Sequence, residues 1–206
     1  VRALIDAQAP VVTIVAKSHI RHVHQALHTT ADENLAMVQD TVETLVREGR
    51  RVFVDAEHFF DGYLADPAYA VDVIRAASEA GAEVVALCDT NGGMLPSQVS
   101  DVVAKVFAAT DVGLGIHCHN DTGCAVANSV AAVQAGAMHV QGTVNGYGER
   151  TGNADLITVA SNVQLKLGRE VIDPDRLRNA LHLSHAISEV TNIAPYGRQP
   201  YVGASA

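Results

Sequence analysis

Short β-branched apolar runs alternate along the chain with longer stretches in which apolar residues recur every three or four positions. This is the pattern of successive strand and helix units, and it repeats five times. The first strand is read in "PVVTIVAKS", Pro10 to Ser18. A helix over Thr30 to Glu48 follows, marked by a Thr30/Glu33 capping-box spacing and by Gly49 beyond its end. "RVFVDAEHF", Arg51 to Phe59, predicts the second strand. The next helix, about Pro67 to Ala80, has Asp66 as N-cap, proline at its first position and Gly81 after it. "EVVALCDTNGG" (Glu83 to Gly93) precedes a helix over about Pro96 to Ala109, and "GLGIHCHNDTG" precedes one over about Ala125 to Ala135. "HVQGTVNGYGERTGN" (His139 to Asn153) leads to a helix over about Ala154 to Leu167. A further helix, about Pro174 to Val190, opens into the Pro- and Gly-containing "NIAPYGRQP".

Every predicted strand ends in polar residues, and no dinucleotide-type glycine fingerprint follows any of them. Chemistry collected at the carboxyl ends of consecutive parallel strands suits an eight-fold (β/α) barrel better than a doubly wound sheet. The expectation is therefore an α/β fold: a partial (β/α)8 TIM barrel with about five C-terminal units over residues 1–170, then a helix and the start of a linker or accessory segment over 171–206. A whole barrel takes about 250 residues, so roughly three units are expected upstream of Val1.

Composition narrows the partners. With 48% hydrophobic residues in 206, the chain can bury a substantial core. Lys and Arg total 14 against 23 Asp and Glu, a formal charge of −9, which offers no basic face for nucleic acid or anionic lipid. Three cysteines without a CxxC pair and no apolar run near membrane-spanning length point to a reducing cytosol.

Candidate chemistry follows from strand alternation, which turns residues two apart to the same face. His117 and His119 project together with Cys118 opposite. Two imidazoles so placed can offer neighbouring nitrogens to one divalent cation, and the alternative is a strand end whose histidines hydrogen-bond locally. Phe53, Asp55 and Glu57 share a face of the second strand, where Glu57 could act as general base or acid, hold a substrate hydroxyl, or simply pair with a nearby cation. Thr90 could donate to a substrate carboxylate, or Asp89 and Thr90 could only shape a turn. Gly146, Gly148 and Gly152 allow backbone to approach a ligand or to adopt positive φ, and Asn153 offers an amide oxygen or a helix cap. Lys17 raises a rival chemistry, a Schiff-base aldolase, although pairing with an acid is its simpler role. Seven further histidines, His22, His24, His28, His58, His139, His182 and His185, show no comparable grouping. A non-enzymatic assembly module is the third alternative.

"DAEHFFDGY", "LCDTNGG", "GIHCHNDTG" and "NGYGERTGN", in that order on successive strand ends, resemble the isopropylmalate, homocitrate and citramalate synthase group of the DRE-TIM metallolyases. The resemblance runs from about Thr13 to Ala204, and "TIVAKS", "DAEHFFDGY" and "LCDTNGG" together are most similar to its citramalate synthase branch. It implies a Claisen-type condensation of acetyl-CoA with a 2-oxo acid in branched-chain amino-acid synthesis, dependent on a divalent metal (Mg, Mn or Zn), in a dimeric enzyme. By the same resemblance His117 and His119 bind the metal, Asn153 completes or supports the site, Glu57 takes part in catalysis, Thr90 contacts the oxo acid, and Gly146 to Gly152 form the signature loop. The family's first-strand aspartate and its neighbouring arginine have no counterpart here. Homocitrate synthases carry Arg and Ser at the positions of Phe53 and Asp55. Without that cation a second substrate carboxylate is poorly compensated, which favours pyruvate over 2-oxoglutarate.

Overall fold

The computed structural model describes residues 1–206. Five parallel strands form one sheet in the order β1-β2-β3-β4-β5: Val11–Lys17, Arg51–Glu57, Val84–Asp89, Gly113–Cys118 and His139–Gln141. Spatial order equals sequence order, so no reversal creates the switch-point crevice of a doubly wound sheet, and the arrangement is that of consecutive barrel strands. Helices α1 (Arg2–Asp6), α2 (Ile20–Gln25), α3 (Ala31–Arg47), α4 (Phe59–Ala65), α5 (Pro67–Glu79), α6 (Pro96–Phe107), α7 (Ala125–Gln134), α8 (Leu156–Leu167), α9 (Pro174–Leu177) and α10 (Ala180–Thr191) complete it. No helix is long and apolar enough to cross a membrane.

The core lies between the sheet and its layer of long helices. Val52, Val54 and Ala56 of β2, Val85 and Leu87 of β3, and Leu114, Ile116 and Cys118 of β4 face Val38, Val42 and Leu45 of α3, Ile74 of α5 and Val99 and Val103 of α6 in a cluster of 37 buried residues. The other sheet face, a barrel's interior, carries Val15, Asp55, Ala86, Gly115 and His139 at one level of the register. Val15 there is 64% exposed. The middle of this level is kept low: a Cβ on Gly115 would lie 3.1 Å from Ala86 and 3.2 Å from the His139 ring. Over that low ground the Gln141 amide donates to Asp55 Oδ1 at 2.7 Å, although the two residues stand on β5 and β2. Beside β5, an apolar trough of about 720 Å³ is lined by Val140, Leu156, Val163, Ile172, Leu177 and Leu183 among others.

Several boundaries differ from expectation for identifiable reasons. The second strand stops at Glu57 because His58 turns left-handed (φ +56°) and α4 starts at Phe59. Gly62 is what lets α4 close on β1, since a Cβ there would come 2.4 Å from the Ser18 carbonyl. β5 is only three residues long: past Gln141 the chain leaves the sheet, and a Cβ on Gly142 would collide with the Ala154 carbonyl at 2.5 Å. The expected helix over 174–190 is two helices broken at Arg178 and Asn179.

Candidate active site

The polar ends of all five strands meet at one rim. β4 delivers His117 half-buried on the inner face, and His119 follows it, 5% exposed, as the chain leaves the sheet. Their Nε2 atoms converge to 3.4 Å. Cys118 points the other way, into the helix layer, where burial pushes its thiol well up. Burial, and secondly the neighbouring His119, shifts His117 below the ordinary imidazole range, which favours the neutral ring that donates to a cation.

Asn153 arrives from twelve residues beyond β5 by backbone pairing. His119 and Asn153 form an isolated antiparallel bridge, flanked by Asn120 N–H to Gly152 O (3.0 Å) and Ala154 N–H to Cys118 O (3.0 Å). The amide nitrogen of Asn153 donates to the Tyr147 carbonyl at 3.0 Å. Its Oδ1 is buried with no partner, so Asn153 does not cap the following helix; Asp155 does, accepting from Ile157 N–H at 3.2 Å. The glycines shape this loop around Asn153. A Cβ on Gly148 would fall 2.0 Å from the Asn153 amide nitrogen, and one on Gly152 would fall 2.1 Å from the Gly146 carbonyl.

These residues fit a divalent cation in two respects. Imidazole nitrogens bind such ions at about 2.0–2.1 Å, which places two of them on one tetrahedral or octahedral centre ~3.0–3.4 Å apart. An orphaned buried carbonyl oxygen beside them is the kind of group that a bound ion satisfies. Glu149, on the same loop, reaches to 3.4 Å from His119 Nε2. No group of three or more His, Cys, Asp or Glu side chains forms a metal set, so two nitrogens and one amide oxygen are what this chain offers from His117, His119 and Asn153.

Around this centre the remaining expected residues take definite places. Lys17 and Glu57, partners in the β1–β2 register, form an ion pair, with Glu57 Oε2 as the acceptor. That pairing gives Lys17 a carboxylate neighbour rather than the apolar pocket that an amine nucleophile needs. Thr90 Oγ1 accepts from the His58 N–H at 2.8 Å and keeps its own proton to donate. Asp89 is a turn-forming residue, accepting from Gly93 and Met94 N–H at 3.1 Å each, and desolvation raises its carboxyl above the usual range. Asp55 lies in the floor beneath His117, held by Gln141.

Two features lay outside the reach of sequence reasoning. His19 stacks on His22, which meets His58 edge-on, with ring centres 4.9 and 4.4 Å apart, and His139 packs edge-on against Phe53 inside the sheet. His58 joins the first two from another unit, and Phe53 and His139 stand on β2 and β5, so no local spacing reveals these contacts. The second feature is a clasp. Arg150 donates bidentately to Asp121 at 2.7 and 2.8 Å and also to the Thr90 carbonyl at 2.7 Å, tying together the loops after β3, β4 and β5. The guanidinium holds the Asp121 carboxyl down at about 2. "ND" and "GER" supplied the only local signal, and neither names its partner.

A (β/α) sheet with a two-histidine, one-amide rim defines a class, and residues 1–183 match the HMGL-like family, to which the chain belongs. Within it, the chain is 63% identical over 206 residues to the (R)-citramalate synthase of Streptomyces coelicolor, covering all of this chain and 39% of that protein. Similarity to the homocitrate synthase AksA of Methanopyrus kandleri is lower, 39% over 197 residues, covering 95% of this chain and 48% of the relative. The chain thus spans about two fifths of the length of the citramalate synthase it matches. Among solved structures, the HMG-CoA lyase of Bacillus subtilis superposes with a TM-score of 0.80 at 19% identity, over 96% of this chain and 70% of that one, which establishes the shared barrel fold.

Proposed function

We propose that the protein condenses acetyl-CoA with a small 2-oxo acid, pyruvate before larger ones, to give (R)-citramalate, and that it depends on a divalent metal held by His117, His119 and Asn153. The observation that carries this reading is the convergence of the two Nε2 atoms at 3.4 Å beside the unpartnered Asn153 Oδ1. The high identity to (R)-citramalate synthases supports the product, and the lower identity to a homocitrate synthase supports the preference.

When bound, the cation supplies Lewis acidity at the carbonyl that receives the new bond. The chain's own residues supply the rest. Lys17 fixes one oxygen of Glu57, leaving the other to accept a proton from the thioester methyl group or from a relay. Thr90 keeps a hydroxyl proton for the oxo acid's carboxylate. Asp55 and Phe53 on the inner face offer no cation to a second carboxylate, which disfavours 2-oxoglutarate in a poorly solvated floor.

The test is release of free CoA by the full-length protein with pyruvate, 2-oxoisovalerate and 2-oxoglutarate in turn. Turnover should appear with pyruvate, vanish on chelation and return with Mn²⁺ or Mg²⁺. His119→Ala should lower it at least about a hundredfold, a loss of ~3 kcal/mol of transition-state stabilisation. Equal rates with all three acids would sink the specificity reading, and chelator-resistant turnover would sink the metal.

A further inference from the structure

One side chain beside the site takes part in none of these steps and yet is saturated with hydrogen bonds. Asn145 stands at φ +64°, a conformation that a non-glycine residue holds only when its surroundings determine it. The two N–H groups of its amide are shared among three acceptors, the Ser184 carbonyl (2.9 Å), Ser188 Oγ (3.2 Å) and the Tyr147 hydroxyl (3.3 Å). Its Oδ1 accepts from Ser184 Oγ (2.7 Å) and the Gln199 amide (3.1 Å). Its backbone N–H goes to Asp155 Oδ1 at 3.0 Å.

Ser184 and Ser188 are the only buried residues of α10, and they lie one turn apart on the face it turns to the loop. Buried hydroxyls are costly unless bonded, so polar pairing with Asn145 and Tyr147 fixes where α10 docks on this loop. The same loop grips Asn153 from its other side. The Gly146 carbonyl accepts from the Asn153 backbone N–H (2.9 Å), and the Tyr147 carbonyl accepts from its side chain. Tyr147 therefore bonds α10 through its hydroxyl, 3.1 Å from Ser188 Oγ, and Asn153 through its carbonyl. A single residue, Tyr147, separates the helix from the candidate ligand.

We propose that Asn145, Ser184 and Ser188 are positioning residues for the metal centre: by docking α10 on the loop after β5 they fix where the Asn153 amide oxygen points, so that the C-terminal helix sets the affinity for the cation. This rests on the metal reading above. It makes α10 a lever, since a partner or downstream segment that tilts the helix changes cation binding without touching a ligand.

The experiment is Mn²⁺ titration calorimetry and thermal unfolding on the full-length protein and three variants. Ser184→Ala/Ser188→Ala removes the hydroxyls. Asn145→Gly removes the amide while glycine keeps the backbone conformation at no steric cost. Val42→Ala loosens the core under α3, which packs over β1 and β2 away from α10 and the hub. The first two should weaken Mn²⁺ binding about tenfold, in the range for lost supporting partners of metal ligands, while Val42→Ala stays within about twofold even where its melting temperature falls as far. Should the serine double variant fail to fold, Asn145→Gly decides. Unchanged affinity in the hub variants, or equal weakening in Val42→Ala, overturns the proposal alone. A wild type with no saturable Mn²⁺ binding overturns the metal reading, and the proposal falls with it.

Discussion

Gly148 sits where no other residue can. At φ +155°, with the Asn153 amide nitrogen 2.0 Å from any Cβ, Gly148→Ala must expel the Asn153 side chain from its place beside His119. Metal-dependent activity should fall by at least about tenfold, as for disrupted support around a site. Gly168→Ala, at a helix C-cap with φ +67° and open space around it, should cost only about 1 kcal/mol in urea unfolding and leave activity alone. The cysteines give a second residue-scale outcome. Burial raises the thiols of Cys88 and Cys118, while Cys124 is half-exposed, so a thiol reagent near pH 8 should titrate one group in the folded protein and all three after denaturation. Fast reaction of more than one would contradict the packing. At this scale the sequence was legible where alternation sufficed: His117 and His119 on one face, Cys118 opposite, Lys17 near an acid. The place of Asn153 beside the histidines was legible only through resemblance, because a bridge to His119 from 34 positions away leaves no periodic trace.

At the scale of elements, chemically marked boundaries were readable. Thr30 caps α3 by accepting from the Glu33 N–H, and Asp66 caps α5 ahead of Pro67 by accepting from Tyr69 N–H at 3.1 Å. Thr30→Ala should therefore cost about 1 kcal/mol, read as a shifted urea midpoint with an unchanged slope. The short helices α2 and α4 were not readable. α2 lies in a histidine-rich stretch just past β1, α4 begins at the end of the predicted second strand with Phe59 and Phe60, and the N-cap of α4, His58, offers no side-chain cap. Its backbone N–H is satisfied instead by Thr90 from the neighbouring unit, a tertiary partner that no local pattern encodes. The break at Arg178 and Asn179 was hidden for the converse reason: both residues are near the helical region of backbone space, and only the hydrogen-bond ladder is interrupted.

For the molecule as a whole, element order was enough to foresee consecutive parallel strands, because strand and helix periodicities alternate cleanly and crossovers of one hand leave few arrangements. What order does not encode is closure. β1 and β5 each pair on one side only, Val15 is 64% exposed inside the sheet and Met138 76% exposed at its edge. The 206-residue chain prepared alone should self-associate through these edges, seen as a mass above one chain in light scattering, and a stable monomer would contradict this. The bond from Gln141 to Asp55 carries a further consequence, in time rather than space. It joins residues 86 positions apart across two intervening strands, and it can form only when β2 to β5 already lie in register above Ala86 and Gly115. It belongs to the last part of folding, so Gln141→Ala should speed unfolding in a stopped-flow chevron while leaving the refolding arm where it was.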